Sequence, residues 1–366
     1  MAQDKFYVEK VFPEADKVFL CHYKSVNDIK ESCIYVFDTN ILLVPFFTSK
    51  ESVADFSTIF KKLKESGRLF IPARVAREFA KNRGQKIADT YSKIIESKNK
   101  LNNAQISLEK FPIFETNDDY IKLKEIESEI SKRKEEFRLR LDKLSEDLMN
   151  WKWDDPVSKM YEEIFTNDII VEVKKSDEDL KKDHEFRNEH YIPPGYKKSD
   201  QNKPDNGIGD LIIWQTVLEI GKEKNSNIIF VTNEGHGDWF YRLQNTAILP
   251  KYELLDEFRR FTDEKSICII NFSKFLVIQH AQDATVEEIS ELNILEAKYF
   301  TEPTIYFDAT SKLQSLIKNN TLDTIANNEL VGDPQHGVVK KLKVKYSIGS
   351  EIYEKEYNEG ELIHLP

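Results

Sequence analysis

The sequence predicts an α/β fold: a parallel sheet flanked by helices, interrupted by an inserted helical hairpin and followed by a small C-terminal α+β module. Three observations predict it. Short apolar runs ending in polar residues recur along the chain with helix-like segments between them. One long stretch changes to the three-, four- and seven-residue spacing of packed long helices. The C-terminal region turns to alternation of apolar and charged residues.

The first 32 residues read as a leader segment. The run CIYVFDTNILL, Cys33 to Leu43, is apolar without alternation, as a central parallel strand buried on both faces would be, and it places Asp38 at its C-terminal end. Residues 52–66 have apolar positions at helical spacing and stop at Gly67. RLFIP then gives a second strand, and ARVAREFAKNR opens a helix that carries Glu78 near its start.

The segment 86–200 is expected to be an insertion. Its first part reads as an antiparallel hairpin, with a seam at Leu123, Ile126, Ile130, Phe137, Leu141, Leu144 and Leu148, Pro112 as breaker and Asn117 or Asp118 as cap. Residues 176–206 are polar and rich in turn formers, so a loop is expected there. GDLIIWQTVLEIGKE then gives an amphipathic helix with Asp210 in its first turn, followed by the strand NIIFVT. A helix, a strand and a short helix carry the core to about residue 282, so the main domain spans 33–282. The accessory module, 283–366, contains a helix-like piece and a hairpin signal at Leu342, Val344, Tyr346 and Ile348.

At 366 residues, two or three structural units are expected, and a composition of 40% apolar and 32% charged residues is that of a globular chain, not a disordered one. Cys21, Cys33 and Cys268 are far apart and lack metal spacing, which predicts buried thiols in a reducing compartment. No signal-peptide or membrane-length apolar run is present, so a cytoplasmic protein with no membrane partner is expected. A net charge of -11 argues against a general polyanion binder. Locally the balance reverses: twelve basic and four acidic residues lie between Lys61 and Lys100, around Glu78.

Asp38, Glu78 and Asp210, with Glu234 or Asp238 after the strand NIIFVT, recur where strands end and helices begin, the edge at which parallel sheets build sites. Two carboxylates about 5 Å apart repel by roughly 3 kcal/mol at an effective dielectric near 20, so a converged cluster requires a cation. Oxygen-only donors point to Mg²⁺ or Mn²⁺ rather than zinc. Each acid has an ordinary reading when taken singly: Asp38 as a helix cap, Glu78 as a surface acid, Asp210 as a residue favouring the positive end of its helix. Only the ordered set raises them above it.

In this order, VFDTN, the glutamate of REF, GDLIIWQ and FVTNEGHGDWF resemble the PIN-like nuclease superfamily, and within it the branch with a long insertion and PPGYK before the GD helix. The resemblance covers roughly 33 to 280. It implies that Asp38, Glu78 and Asp210 bind metal and that Thr39 and Asn40 shape the loop after the first strand. The fourth acid is divided between Glu234, which stands where the family has Asp, and Asp238, which precedes an aromatic pair and is preferred. Thr39, Asn40, Arg74, Arg77, Lys197, Lys203, Thr232 and Asn233 are expected to face substrate.

The function expected is a Mg²⁺- or Mn²⁺-dependent endonuclease, chiefly an endoribonuclease, acting on RNA or single-stranded nucleic acid, with the resemblance implying a setting in bacterial, antiviral or toxin-like defence. A protein partner or a homodimer through the hairpin stays open. The alternative is a non-catalytic PIN-like module that binds RNA or protein. A haloacid-dehalogenase-like phosphohydrolase is disfavoured, because Asn40 stands where its second acid belongs.

Overall fold

A computed structural model describes residues 5–19, 23–103, 107–196, 207–233, 239–243, 246–290, 292–302, 305–317, 322–348 and 351–365. Two compact units are present, one built from residues 1–79 and 163–366 and the other from 80–162.

In the first unit, the N-terminal segment carries two short helices, α1 (Tyr7–Val11) and α2 (Val26–Ile29), the latter closed by a reciprocal Ser25–Asp28 capping box. Strand β1 (Ile34–Phe37) follows, buried at all four positions as its unbroken apolar run predicts. A one-turn helix, α3 (Thr39–Leu42), leads to α4 (Lys50–Glu65), which Ser49 caps and which buries Phe56, Ile59, Phe60 and Leu63. Gly67, at φ +65°, ends that helix in a conformation open to glycine, and the chain enters β2 (Leu69–Pro72). Helix α5 (Ala73–Asn103) starts directly after it.

The second unit consists of the greater part of α5, α6 (Asp118–Asn150) and most of α7 (Pro156–Ile164). Asn117 caps α6 by accepting the amides of Asp119 and Tyr120, and Pro112 starts the turn before it, as expected. Contacts of Lys98 with Asp142 and of Arg83 with Trp153 show the antiparallel hairpin.

Back in the first unit, β3 (Ile170–Val171) is a two-residue strand added to the edge of the sheet. The loop expected over 176–206 is corrected: Asp177–His190 is a helix, α8. Only Leu180 and Phe186 are large apolar residues in it. It forms because Ser176 caps it, three acids occupy its first turn, and Arg187 is held in buried ion pairs. Helix α9 (Ile208–Glu223) follows and is buried along most of its length, then β4 (Ile228–Val231), the hairpin β5 (Phe240–Leu243) and β6 (Thr246–Pro250), α10 (Tyr252–Phe261), β7 (Ile267–Ile270) and α11 (Phe272–Ile278).

The main sheet is parallel throughout, in the order β3-β2-β1-β4-β7. Chain order runs outward from β1 in one direction through β2 to β3 and in the other through β4 to β7. The reversal lies between β1 and β4, the switch point at which open α/β sheets leave a crevice beyond their strand ends.

Helix α12 (Asp283–Ser290) packs on α4, where Glu288 accepts hydrogen bonds from the Ser49 amide and from the Ser49 and Ser52 hydroxyls. The C-terminal α+β module has its own core. Strands β8 (Leu292–Glu302) and β9 (Ile305–Asp308), helix α13 (Thr310–Leu316), and strands β10 (Leu322–Ile325), β11 (Lys341–Ile348), β12 (Glu351–Asn358) and β13 (Leu362–Leu365) enclose Tyr299, Leu313, Leu342, Val344, Tyr346 and Ile363. The expected hairpin is β11–β12. Strands β8, β9, β10 and β13 are additions that the sequence reading did not name.

Candidate active site

Asp38 lies just beyond β1, at the switch point. It is 6% exposed and caps α3, its Oδ1 accepting the Thr39 amide at 2.6 Å. Its Oδ2 accepts from the Thr232 hydroxyl at 2.7 Å and from Asn40 Nδ2 at 2.9 Å. Thr232 follows β4, the neighbouring strand, so the carboxylate is clamped by groups from both sides of the switch point.

The clamp continues outward. Asn40 Nδ2 also donates to Thr232 Oγ1, and Asn40 Oδ1 accepts the Asn233 amide at 3.1 Å. Asn233 Oδ1 in turn accepts the amide of Phe272, the first residue of α11. One relay of polar side chains therefore joins the ends of β1 and β4 to the start of α11.

Glu78, in the second turn of α5, reaches the same place. Thr39 Oγ1 donates to Glu78 Oε2 at 2.7 Å, while Thr39's amide serves Asp38, so one threonine joins the two acids. Arg74 Nε donates to Glu78 Oε1 at 2.6 Å from one turn earlier in the helix. Burial raises the Asp38 carboxyl to about 6 and the Glu78 charge adds to the rise, against the hydrogen bonds of Thr232, Thr39 and Asn40. A buried acid held beside a second acid is poised to accept a positive charge.

Asp210 stands in the first turn of α9, which leads into β4 and so has its N-terminus at the C-terminal edge of the parallel sheet. The Pro193–Gly195 turn sits against that N-terminus. A Cβ at Gly195, whose φ is +83°, would lie 2.7 Å from the Gly207 carbonyl oxygen and 3.9 Å from Asp210 Cβ, so only glycine fits there.

The turn is held from below by a buried network missing from the sequence reading. Arg187, on α8 and 4% exposed, donates to the Pro193 carbonyl, to Glu257 on α10 and to Asp183, the last at 2.9 Å. Glu257 also accepts Trp214 Nε1 at 2.8 Å, and Asp183 accepts from Gln215, both on α9. The one signal in the sequence was the i,i+4 spacing of Asp183 and Arg187, which in a segment read as a loop carries no weight.

Arg77 forms an exposed two-pronged pair with Glu172 at 2.5 and 2.9 Å. Two more cations of the basic stretch are paired: Lys61 with Glu163 and Lys98 with Asp142. Lys197, Lys203, Glu234 and Asp238 lie outside the described residues. Among the described residues no three Asp, Glu, His or Cys side chains stand together as donors for one ion. The pair that does meet, Asp38 and Glu78, offers oxygen only, which suits a hard cation that binds one or two carboxylates and keeps several waters.

No helix among the described residues is long and apolar enough to cross a membrane. Searches of curated proteins and of solved structures found no match to the chain. The family model for the PIN-like domain matches residues 34–254, more than half of the chain, and spans β1, the Asp38–Glu78 pair, Arg187 and Asp210. The chain belongs to the PIN-like domain family.

Proposed function

We propose that the protein is a Mg²⁺- or Mn²⁺-dependent endonuclease of RNA or single-stranded nucleic acid, and in the finer reading an endoribonuclease. The observation that carries this is the buried Asp38, oriented by three donors at the switch point and tied through Thr39 to Glu78. Asp38, Glu78 and Asp210 would hold the ion, with Asp238 or Glu234 as the fourth acid. When bound, the ion supplies an activated water and offsets charge on the scissile phosphate. Thr232, Thr39 and Asn40 hold the Asp38 oxygens in fixed directions, which lowers the reorganisation needed to bind it. Arg74 balances the Glu78 charge. A part in bacterial defence or a toxin-like system rests on the family resemblance alone.

One observation favours a non-catalytic module instead: among the described residues three donors do not converge. Cleavage of labelled single-stranded RNA, single-stranded DNA and duplex with Mn²⁺ separates the two. The nuclease reading expects cutting by the wild type and a loss of at least roughly a hundredfold in both Asp38→Asn and Asp210→Asn. An inactive wild type, or variants that cut as well as it does, would overturn it.

A further inference from the structure

Helix α6 carries an apolar strip that its own hairpin leaves open. At about 100° per residue, Leu123, Ile126, Ile130, Phe137, Leu141 and Leu144 fall within an arc of about 60°. Ile130 and Leu141 are partly buried, but Leu123, Ile126, Phe137 and Leu144 are 48–53% exposed. The strip lies beside the face that the hairpin buries at Tyr120 and Ser145, and it runs on to Leu148, at the same angle as Ile130, which is buried.

Up to Leu144, short of the buried Leu148, the strip is a palindrome. Read from either end, its residues are separated by three, four, seven, four and three positions. A two-fold axis crossing the helix between Arg133 and Lys134 would therefore set Leu123 on Leu144, Ile126 on Leu141 and Ile130 on Phe137 of an antiparallel second copy. An isologous interface demands this self-complementarity.

The flanking charges pair close to the same axis. Antiparallel two-fold pairing brings the same flank of each helix together, and the flank away from the buried face carries Lys122, Glu125 and Glu129 in its first half and Arg140, Lys143 and Asp147 in its second. One or two residues off the apolar register, about 1.5–3 Å along the helix, Lys122 comes beside Asp147, Glu125 beside Lys143 and Glu129 beside Arg140, opposite signs each time. Arg133 and Glu136, on the same flank, already bond each other, and Glu136 also accepts from Arg140 within the helix.

We propose that the protein forms a two-fold dimer in which α6 pairs antiparallel with α6 of a second copy. The paired length is about 39 Å, and one helix pair lies at the small end of stable interfaces, so the association depends on concentration. The test is sedimentation velocity on the full chain across a concentration series. Wild type should show a reversible monomer–dimer equilibrium. Glu129→Arg and Arg140→Glu, each reversing two contacts per dimer, should each weaken it roughly tenfold or more, and the double variant should recover it. Phe137→Glu should give monomer, with helicity by circular dichroism unchanged. A wild type monomeric at every concentration, single reversals without effect, or a double variant that stays weak would overturn the proposal. Nuclease activity does not enter the readout.

Discussion

Asp183 shows how one carboxylate can be worth more than a surface ion pair. Burial pushes its carboxyl up, but the charges of Arg187 and Lys175 and their hydrogen bonds more than offset that, and the net shift is downward. A depressed value means that the stabilisation is present above the unfolded value of 3.8 and is lost as pH falls through the lower folded value. Asp183→Asn should therefore cost about 3 kcal/mol at neutral pH, at the low end for a broken buried pair because Arg187 keeps Glu257. Urea unfolding of both proteins from pH 7 to pH 3 checks it: the difference should shrink once pH passes below 3.8. A constant difference would rule out the ionic account. The Arg77–Glu172 pair, 63% exposed on both sides, contributes about 0–1 kcal/mol by contrast.

Among the elements, α9 does most to fix the site, because it carries Asp210 at one end and packs on α10 at the other. Gly221 makes that packing possible. A Cβ there would meet Phe258 Cζ at 2.6 Å and Thr262 Cγ2 at 2.9 Å. Alanine gains about 1 kcal/mol in helix propensity over glycine, but forcing a methyl into a filled contact costs about 1–3 kcal/mol. Gly221→Ala should thus be neutral to destabilising by about 2 kcal/mol, and a rise in melting temperature would show that α10 yields freely. The elements that could be read from sequence were those whose burial is visible in the local pattern: β1, β2, β4 and β7, each a short apolar run, and the capped hairpin of α5 and α6. Helix α8 was not legible because its partners, Glu257 and Pro193, come from outside it. Strand β8 was not legible because its alternation breaks at Leu295, the extra residue of a bulge opposite Lys345 and Tyr346, which leaves Leu295 and Glu296 both outward.

At the scale of the whole molecule, the acids that fold into one place are 40 residues apart in sequence, and one partner, Thr232, lies farther still. Asp38 and Glu78 were legible as a pair only through their order with the other motifs. The Thr232 clamp was not, since it depends on β4 lying next to β1. Local charge was legible only in part: Lys61, Arg77 and Lys98 of the basic stretch find acids at Glu163, Glu172 and Asp142 that composition cannot show. The proposed cation site therefore rests on the Asp38–Glu78 pair and not on the protein's overall field. An ion that binds the folded sheet and not the unfolded chain stabilises it by mass action, by about 2.7 kcal/mol at a hundredfold excess over its dissociation constant. Mn²⁺ should accordingly raise the melting transition of the wild type, and Asp38→Asn should abolish the rise. Asp183→Asn, which lowers the starting stability without touching the acid pair, should keep it. If the unit of residues 80–162 melts separately, its transition should not move with the ion. No shift in the wild type, or an equal shift in Asp38→Asn, would remove the metal from the reading of this site.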